Sequence, residues 1–229
     1  MFARPDAPIP DALDLSARCR QLRELGGDFY DSWPLPGKRL AMAIGDASGK
    51  GLAAALMSSN VQSSLRTASL FTDGEGPATV AAVNRQVYGS SLDNRYATLL
   101  YGVLDAETRV LRYVNAGHPP AMVMHSDGRI SWLESSGAPV GMFAEWNYQE
   151  SCVQLHSGDV LVAYSDGLIE AVDGNGEEWG VDGLKRAAAE EMMRSAAEMV
   201  EGIFSRRDAY TRGHQIDDTT VMVMRVAVH

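Results

Sequence analysis

The sequence predicts a layered α+β fold with many antiparallel strands and about four helices. Short apolar or alternating segments recur along the chain between turn residues, a pattern typical of antiparallel strands. Helical spacing of apolar residues occurs in two early segments and in two late ones, so the helices come in pairs. Because each sheet has an apolar face to bury, we expect each helix pair to cover one sheet.

The composition bounds the class of protein. The chain has 229 residues, of which 45% are hydrophobic, and this is enough for a sizeable core. Its net charge of −10 disfavours nucleic acid or an anionic membrane as the main partner.

No apolar run is as long as a membrane span. The two cysteines, Cys19 and Cys152, have no metal-ligand spacing. We expect a cytoplasmic protein with a flexible lead-in at residues 1–12 and a single domain at residues 13–229.

The first half of the chain predicts strands followed by the early helix pair. Residues 13–19 alternate between apolar and polar side chains, as in a strand with one buried face. Residues 39–44 form another strand after the turn at 36–38. Two helices are then predicted near residues 50–69 and 77–90, the second with proline in its first turn.

The second half begins with short strands joined by turns and ends with the late helix pair. The strands are predicted at residues 97–104, 110–114, 121–125, 129–133, 151–155 and 159–164. A helix follows near residues 181–193, and another starts at Ser195, where Glu198 completes a capping box. A last strand is predicted at residues 221–228.

A glycine-rich loop at residues 45–51 joins a predicted strand to a predicted helix and carries the carboxylate Asp46. Catalytic groups are often held at such edges, although a connector with a turn-forming aspartate has the same pattern. A nucleotide-binding phosphate loop needs four residues between its first glycine and the Gly-Lys pair, and then Ser or Thr. This loop has three, and glycine follows Lys50, so we reject nucleotide binding here.

Acidic residues recur at strand edges beside glycine or another acid. They are Asp28, Asp46, Asp166 and the adjacent pair Asp217 and Asp218. An all-oxygen set of this kind selects Mg²⁺ or Mn²⁺ over Zn²⁺, and two such ions ~3.5–4 Å apart are a common device for phosphate ester hydrolysis. Two alternatives remain open, because Asp-Gly is a frequent hairpin turn and adjacent acids also occur in solvated turns.

Two histidines fall outside this pattern. His118 and His125 have no partner at metal-ligand spacing. We expect both to be structural or surface residues.

Five motifs in order resemble one family. They are GGDFYD (26–31), GDASGKG (45–51), NAGHPP (115–120), YSDGLIEA (164–171) and DDTTVMV (217–223). Together they are similar to the PPM-type, metal-dependent serine/threonine phosphatases, in particular the bacterial SpoIIE/RsbU branch, over roughly residues 13–228. The resemblance implies a sandwich of two antiparallel sheets flanked by helix pairs, with a two-metal site at one edge.

The resemblance also implies roles for single residues. Asp46 would bridge two Mn²⁺ or Mg²⁺ ions, and the carbonyl of Ala47 would add a ligand. Asp28 would serve one metal directly or through water, and Asp166 and Asp217 would hold the other. Asp218 stands where many members of the wider family have a non-acidic polar residue. It is included among the metal ligands because it is adjacent to Asp217.

The phosphate-binding arginine of the eukaryotic members has no clear equivalent here. Arg18 and Arg20 are candidates by position alone.

The implied reaction is hydrolysis of phosphoserine or phosphothreonine by metal-activated water, without a covalent intermediate. The implied substrate is an anti-anti-sigma protein with a STAS domain, in partner-switching control of a sigma factor. We further expect a regulatory partner or a second copy to bind the helices near 50–69 and 77–90, whose outer face is weakly charged. The alternatives are a binding module of the same fold with little turnover, or a hydrolase of small phosphomonoesters.

Overall fold

The computed structural model describes residues 12–90 and 95–227. Its first half contains β1 (Leu13–Arg20), β2 (Asp28–Leu35), β3 (Arg39–Ala47), α1 (Leu52–Phe71) and α2 (Gly76–Ser90). Six strands follow, namely β4 (Ala97–Asp105), β5 (Val110–Ala116), β6 (Ala121–Met124), β7 (Ile130–Leu133), β8 (Ser151–Gln154) and β9 (Val160–Tyr164). The chain continues with α3 (Asp166–Ile169), α4 (Gly180–Glu191), α5 (Ala196–Thr211) and β10 (Thr219–Val226).

The strands form two five-stranded sheets in which every neighbouring pair is antiparallel. One sheet has the order β1-β10-β9-β6-β7, and the other has the order β2-β3-β4-β5-β8. The predicted α+β sandwich of two antiparallel sheets is therefore confirmed.

Strand β3 shows why the fold has four layers, which are the two sheets and the helix pair on the outer face of each. Leu40, Met42 and Ile44 point into the core between the two sheets. The alternating Ala41 and Ala43 face the core beneath α1 and α2, where their small side chains let the helices approach closely. The strand therefore reads as a continuous apolar run because both of its faces are buried.

The two helix pairs cover opposite faces of the sandwich. Val61 and Leu65 of α1 and Val80 and Val83 of α2 pack on the sheet that contains β3. Helices α4 and α5 cover the sheet that contains β10, with Met199, Val200, Ile203 and Phe204 buried there. The prediction that each pair covers one sheet is confirmed.

Local sequence rules explain several boundaries. Ser195 and Glu198 form the predicted capping box at the start of α5. Pro34 lies within β2, where it is tolerated because β2 is an edge strand. The Asp-Gly at residue 166 opens the short helix α3 and does not form a hairpin turn.

The predicted lead-in at residues 1–12 lies outside the described residues except for Ala12, whose carbonyl accepts a hydrogen bond of 2.8 Å from Ala227 N–H. The predicted final strand also reached residue 228, which is outside the described part as well. Within residues 12–90 and 95–227, no helix is long and apolar enough to cross a membrane.

Both singled-out histidines are structural, as predicted. His118 is buried and hydrogen-bonded through Nδ1 to Thr98 Oγ1 at 2.9 Å, and burial lowers the pKa of its imidazole to about 3, so the ring stays neutral. His125 binds the buried Asp159 through Nδ1 and Ser131 Oγ through Nε2, both at 2.9 Å. The His125 network closes the β6–β7 hairpin.

Candidate functional site

The predicted acidic residues meet at one end of both sheets. Asp28 at the start of β2 pairs directly with Asp46 near the end of β3. In the other sheet, Asp166 follows β9 and Asp217 precedes its neighbour β10. Since neighbouring strands run antiparallel, the end of one and the start of the next lie at the same edge, and this geometry collects the acids.

Asp28 connects the two sheets. Its Oδ2 accepts hydrogen bonds of 2.7 Å from Ser165 Oγ and from Thr220 Oγ1. Thr220 belongs to β10 of the opposite sheet, and Ser165 directly follows β9 of that sheet. Ser165 Oγ in turn accepts the backbone N–H of Thr220 at 2.9 Å. The carboxylate is therefore held in one orientation between the sheets.

Burial at this edge raises the pKa of three of the acids, Asp28, Asp46 and Asp166. Burial, opposed by the hydroxyls of Thr220 and Ser165, raises the pKa of Asp28 to about 7. The pKa of Asp46 rises to about 8, first through burial and then through the charges of Asp28, Asp166, Asp217 and Asp218. Burial also raises the pKa of Asp166. The edge is thus a region of concentrated negative charge that favours protons or a cation.

Gly27 leaves a space in which two oxygens converge. A Cβ placed on Gly27 would lie 2.5 Å from the carbonyl oxygen of Ala47 and 2.6 Å from Asp46 Oδ1, so a side chain is excluded there. Ala47 N–H also donates to the Gly27 carbonyl at 3.1 Å, which fixes the two segments against each other. A carboxylate and a carbonyl oxygen facing one small space suit a hard cation.

An open cleft of about 230 Å³ lies beside these acids. Asp46, Asp217 and Asp218 line it on the acidic side. Lys50 and Arg23 bring positive charge to the same cleft, and Lys50 Nζ is 4.0 Å from Asp217 Oδ2. The cleft therefore combines acidic residues with cationic side chains at its mouth.

The structure does not place Arg18 and Arg20 in this cleft. Arg18 pairs with Glu201, and Arg20 binds Asp208 through two contacts of 2.7 Å, so both side chains lie against α5. Both guanidinium groups also stack over the ring of Phe204. The candidacy of these two arginines as phosphate ligands was wrong, because their face of β1 is covered by α5.

The predicted metal ligands are brought to one edge, but they do not form a finished coordination shell. In the described part of the chain, no three His, Cys, Asp or Glu side chains are arranged so that they could hold a metal ion. Asp28 is directed to two hydroxyls, and Asp218 accepts N–H groups of Leu22 and Gly27. The donor chemistry fits Mg²⁺ or Mn²⁺.

The sequence interpretation missed two features of the site. Ser165 and Thr220 orient Asp28, and the segment 22–26 forms a wall of the cleft. A sequence pattern did exist for the hydroxyls, because each stands within three residues of a predicted acid in YSDG and DDTT. No local pattern indicated the role of segment 22–26.

Solved structures with this fold include known phosphatases. The PP2C phosphatase domain of the cell fate determinant SpoIIE from Bacillus subtilis, solved with a fragment of its regulatory domain, superposes with a TM-score of 0.81 at 22% identity, covering 93% of this chain and 63% of that chain. The catalytic domain of the serine threonine protein phosphatase PstP, in complex with 2 manganese ions, gives a TM-score of 0.68 at 19% identity and covers 94% and 100%. At these identities the likeness shows the fold.

Sequence comparison identifies the family. The chain is 29% identical over 220 residues to phosphoserine phosphatase RsbU of Bacillus subtilis (strain 168), which covers 95% of this chain and 64% of that protein. The chain spans less than two thirds of the length of the curated relatives it matches. The family described as Stage II sporulation protein E (SpoIIE) matches residues 36–227. The chain therefore belongs to the SpoIIE family.

Proposed function

We propose that this chain is a metal-dependent protein serine/threonine phosphatase and that residues 13–229 form its single catalytic domain. The observation that carries the proposal is the meeting of Asp28, Asp46, Asp166 and Asp217 at one edge of the sandwich, beside an open cleft. Membership of a family that includes phosphoserine phosphatases supports the same activity.

The acids would hold two Mn²⁺ or Mg²⁺ ions. The proposed ligands are Asp46, the carbonyl of Ala47, Asp166 and Asp217, with Asp28 acting directly or through water; Asp218 is the further candidate. When bound, the ions supply Lewis-acid activation of water and offset phosphate charge. The raised pKa values of Asp28 and Asp46 support this assignment, since a bound cation offsets the cost of burying these negative charges beside other acids, as a proton does. The two manganese ions of the PstP catalytic domain support the count.

The side chains around the cleft support direct hydrolysis. Among the described residues that line it there is no serine, threonine, cysteine or histidine. Attack by water on phosphorus therefore fits better than transfer to a serine, threonine, cysteine or histidine nucleophile. Asp46 and Asp217 face the cleft where the phosphoryl group would bind, and Lys50 adds a positive charge beside them.

We propose phosphoserine or phosphothreonine on an anti-anti-sigma protein with a STAS domain as the substrate. RsbU, to which the chain is similar over most of its length, is a phosphoserine phosphatase. Such a substrate would place the reaction in the cytoplasm.

We also propose α1 and α2 as the surface for a regulatory partner or a second copy. Leu52, Leu56, Leu70 and Phe71 of α1 are exposed, which is more apolar surface than a helix needs to cover a sheet. Arg66 is not part of a free polar face, because its guanidinium binds the fully buried Asp31 through two contacts of 2.6 Å. Leu56→Glu therefore tests this surface, because Leu56 is exposed. A change at Arg66 would also break its ion pair with Asp31.

The phosphatase proposal is tested by phosphate release from a small aryl phosphate in Mn²⁺. We expect Asp46→Asn and Asp166→Asn to lose activity and to stay folded by circular dichroism. Asp127→Asn is the matched control, because Asp127 is exposed in the β6–β7 turn and its carboxylate contacts only the adjacent Arg129 among the bonds described. Wild-type activity in a folded Asp46→Asn variant would overturn the proposal, and a wild type with no turnover would favour a binding module.

A further inference from the structure

Asp218 holds the segment of residues 22–27 at the edge of the cleft through hydrogen bonds. Its Oδ1 accepts the backbone N–H of Leu22 at 2.8 Å, and its Oδ2 accepts the N–H of Gly27 at 2.9 Å. A Cβ on Gly26 would lie 1.9 Å from Asp218 Oδ2, so the carboxylate fits against bare backbone. One side chain thus holds both ends of segment 22–27, which is about 190 residues away in sequence.

This segment presents two different kinds of side chain to the cleft. Leu22 and Leu25 line it while remaining 38% and 42% exposed, and Arg23 lies between them. Lys50 lines the cleft from the loop before α1. The mouth therefore has cations for an anionic group and, next to them, apolar side chains that are still open to solvent.

We propose that segment 22–27, held in place by Asp218, recognises a phosphorylated serine or threonine within a protein segment that has an apolar residue next to it. This inference rests on the proposed function and adds to it a preference for an apolar residue beside the phosphorylated one. Lys50 and Arg23 attract the phosphate, and Leu22 and Leu25 contact the neighbouring apolar side chain. Asp218 is a positioning residue in this arrangement.

Charge complementarity favours this occupant. The net charge of the protein is −10, and Asp46, Asp217 and Asp218 line the cleft itself. An anionic substrate is therefore repelled from the cleft except beside cationic side chains. Arg23 and Lys50 supply those cations beside the acids. A small phosphomonoester would use only the cations and would leave the two leucines exposed to water, whereas an apolar side chain beside the phosphate would cover them.

The test compares kcat/KM for three substrates in Mn²⁺. They are a phosphoserine peptide with leucine on either side of the phosphoserine, the same peptide with glycine there, and a small aryl phosphate. The wild type is expected to prefer the leucine peptide over the glycine peptide by about tenfold, the order that one apolar contact provides. The double variant Leu22→Ser/Leu25→Ser is expected to lose that preference. Met193→Ser, at an exposed methionine after α4, is expected to keep it.

The outcomes separate the two claims. No release of phosphate from any of the three substrates by the wild type would overturn the proposed function. Turnover of all three with no preference for the leucine peptide, or a preference that survives the double variant, would overturn the recognition by segment 22–27 and leave the phosphatase assignment standing.

Asp218 is tested by Asp218→Ala with two readouts. We expect faster hydrogen exchange of the Leu22 and Gly27 amides and loss of the leucine preference. A large loss of Mn²⁺ affinity with unchanged amide exchange would show that Asp218 is a metal ligand and would overturn its positioning role.

Discussion

Asp28 and Asp46 are directly paired residues on the adjacent strands β2 and β3, and both are carboxylic acids with raised pKa values. Like charges opposite each other destabilise a sheet. This cost falls at the edge where the other acids lie, and Asp28 is in addition fixed by the hydroxyls of Ser165 and Thr220. Such local destabilisation is typical of functional sites.

Asp46→Asn is expected to separate stability from activity. The pKa of Asp46 is about 8 in the fold against an ordinary 3.8, so the folded chain keeps a proton that the unfolded chain releases between these values. This carboxyl therefore lowers stability progressively as the pH rises through that window. In chelator, Asp46→Asn should melt above the wild type at pH 8, and the difference should shrink towards pH 4.

The same variant should lose roughly 10²–10³-fold in turnover with Mn²⁺, the usual cost of removing a main electrostatic contributor. Thermal melting and phosphate release on one preparation measure both effects. An Asp46→Asn variant that melts below the wild type at pH 8 in chelator would contradict the stated cost of burying this charge beside other acids.

Ser165→Ala is expected to weaken the site without unfolding the protein. The variant removes one of the two hydroxyls that bind Asp28 Oδ2. Loss of a group that orients a metal ligand typically costs about 10–100-fold in metal affinity or activity. Calorimetric titration with Mn²⁺ measures the change, and unchanged affinity and turnover would show that Thr220 alone fixes Asp28.

Arg66→Ala is expected to destabilise the protein by about 3 kcal/mol, the low end for breaking a buried ion pair, since Arg66 itself is partly exposed. The reason is that Asp31 is fully buried and loses both of its guanidinium contacts. Urea unfolding measures the loss. Thr67→Ala, an exposed position on the same helix, is the control, and equal stability of the two variants would contradict a structural role for the pair.

Asp159→Ala is expected to make stability less sensitive to acid. Burial alone would raise the pKa of Asp159, but hydrogen bonds from Ser126 N–H, His125 and His156 N–H outweigh it and lower the pKa. A carboxylate with a lowered pKa adds stability that is present above its ordinary pKa and is lost as the pH falls through the folded value. The variant should therefore be less stable than the wild type at pH 7, and urea unfolding at pH 3 should show a smaller gap. An equal gap at both pH values would contradict this account.

The sequence was sufficient for the features that depend on local pattern. Helical spacing predicted the two helix pairs, and the alternation of apolar residues predicted most strands. Asp46 and Asp166 were recognised as site candidates because each follows an apolar strand beside glycine. The antiparallel connections then bring the predicted acids to one edge.

The features that the sequence did not predict depend on contacts between distant segments. The hydrogen bonds from the Leu22 and Gly27 N–H groups to Asp218 join residues about 190 positions apart, and no local sequence rule predicts contacts at that separation. Arg20 was named as a candidate phosphate ligand by position alone, because the strand pattern does not tell which face of β1 is covered by α5. The pairing of Arg66 with Asp31 was not predicted either, because Arg66 lies on the polar side of a predicted helix and the sequence does not show its partner.

The proposed phosphatase activity depends on bound metal ions, and removing and restoring these ions tests that dependence. The wild type is stripped with chelator, dialysed, and assayed for phosphate release from an aryl phosphate before and after addition of Mn²⁺ or Mg²⁺. The account predicts no turnover in the stripped protein and recovery on adding either ion, with Asp166→Asn failing to recover. Full turnover by the stripped wild type would contradict it.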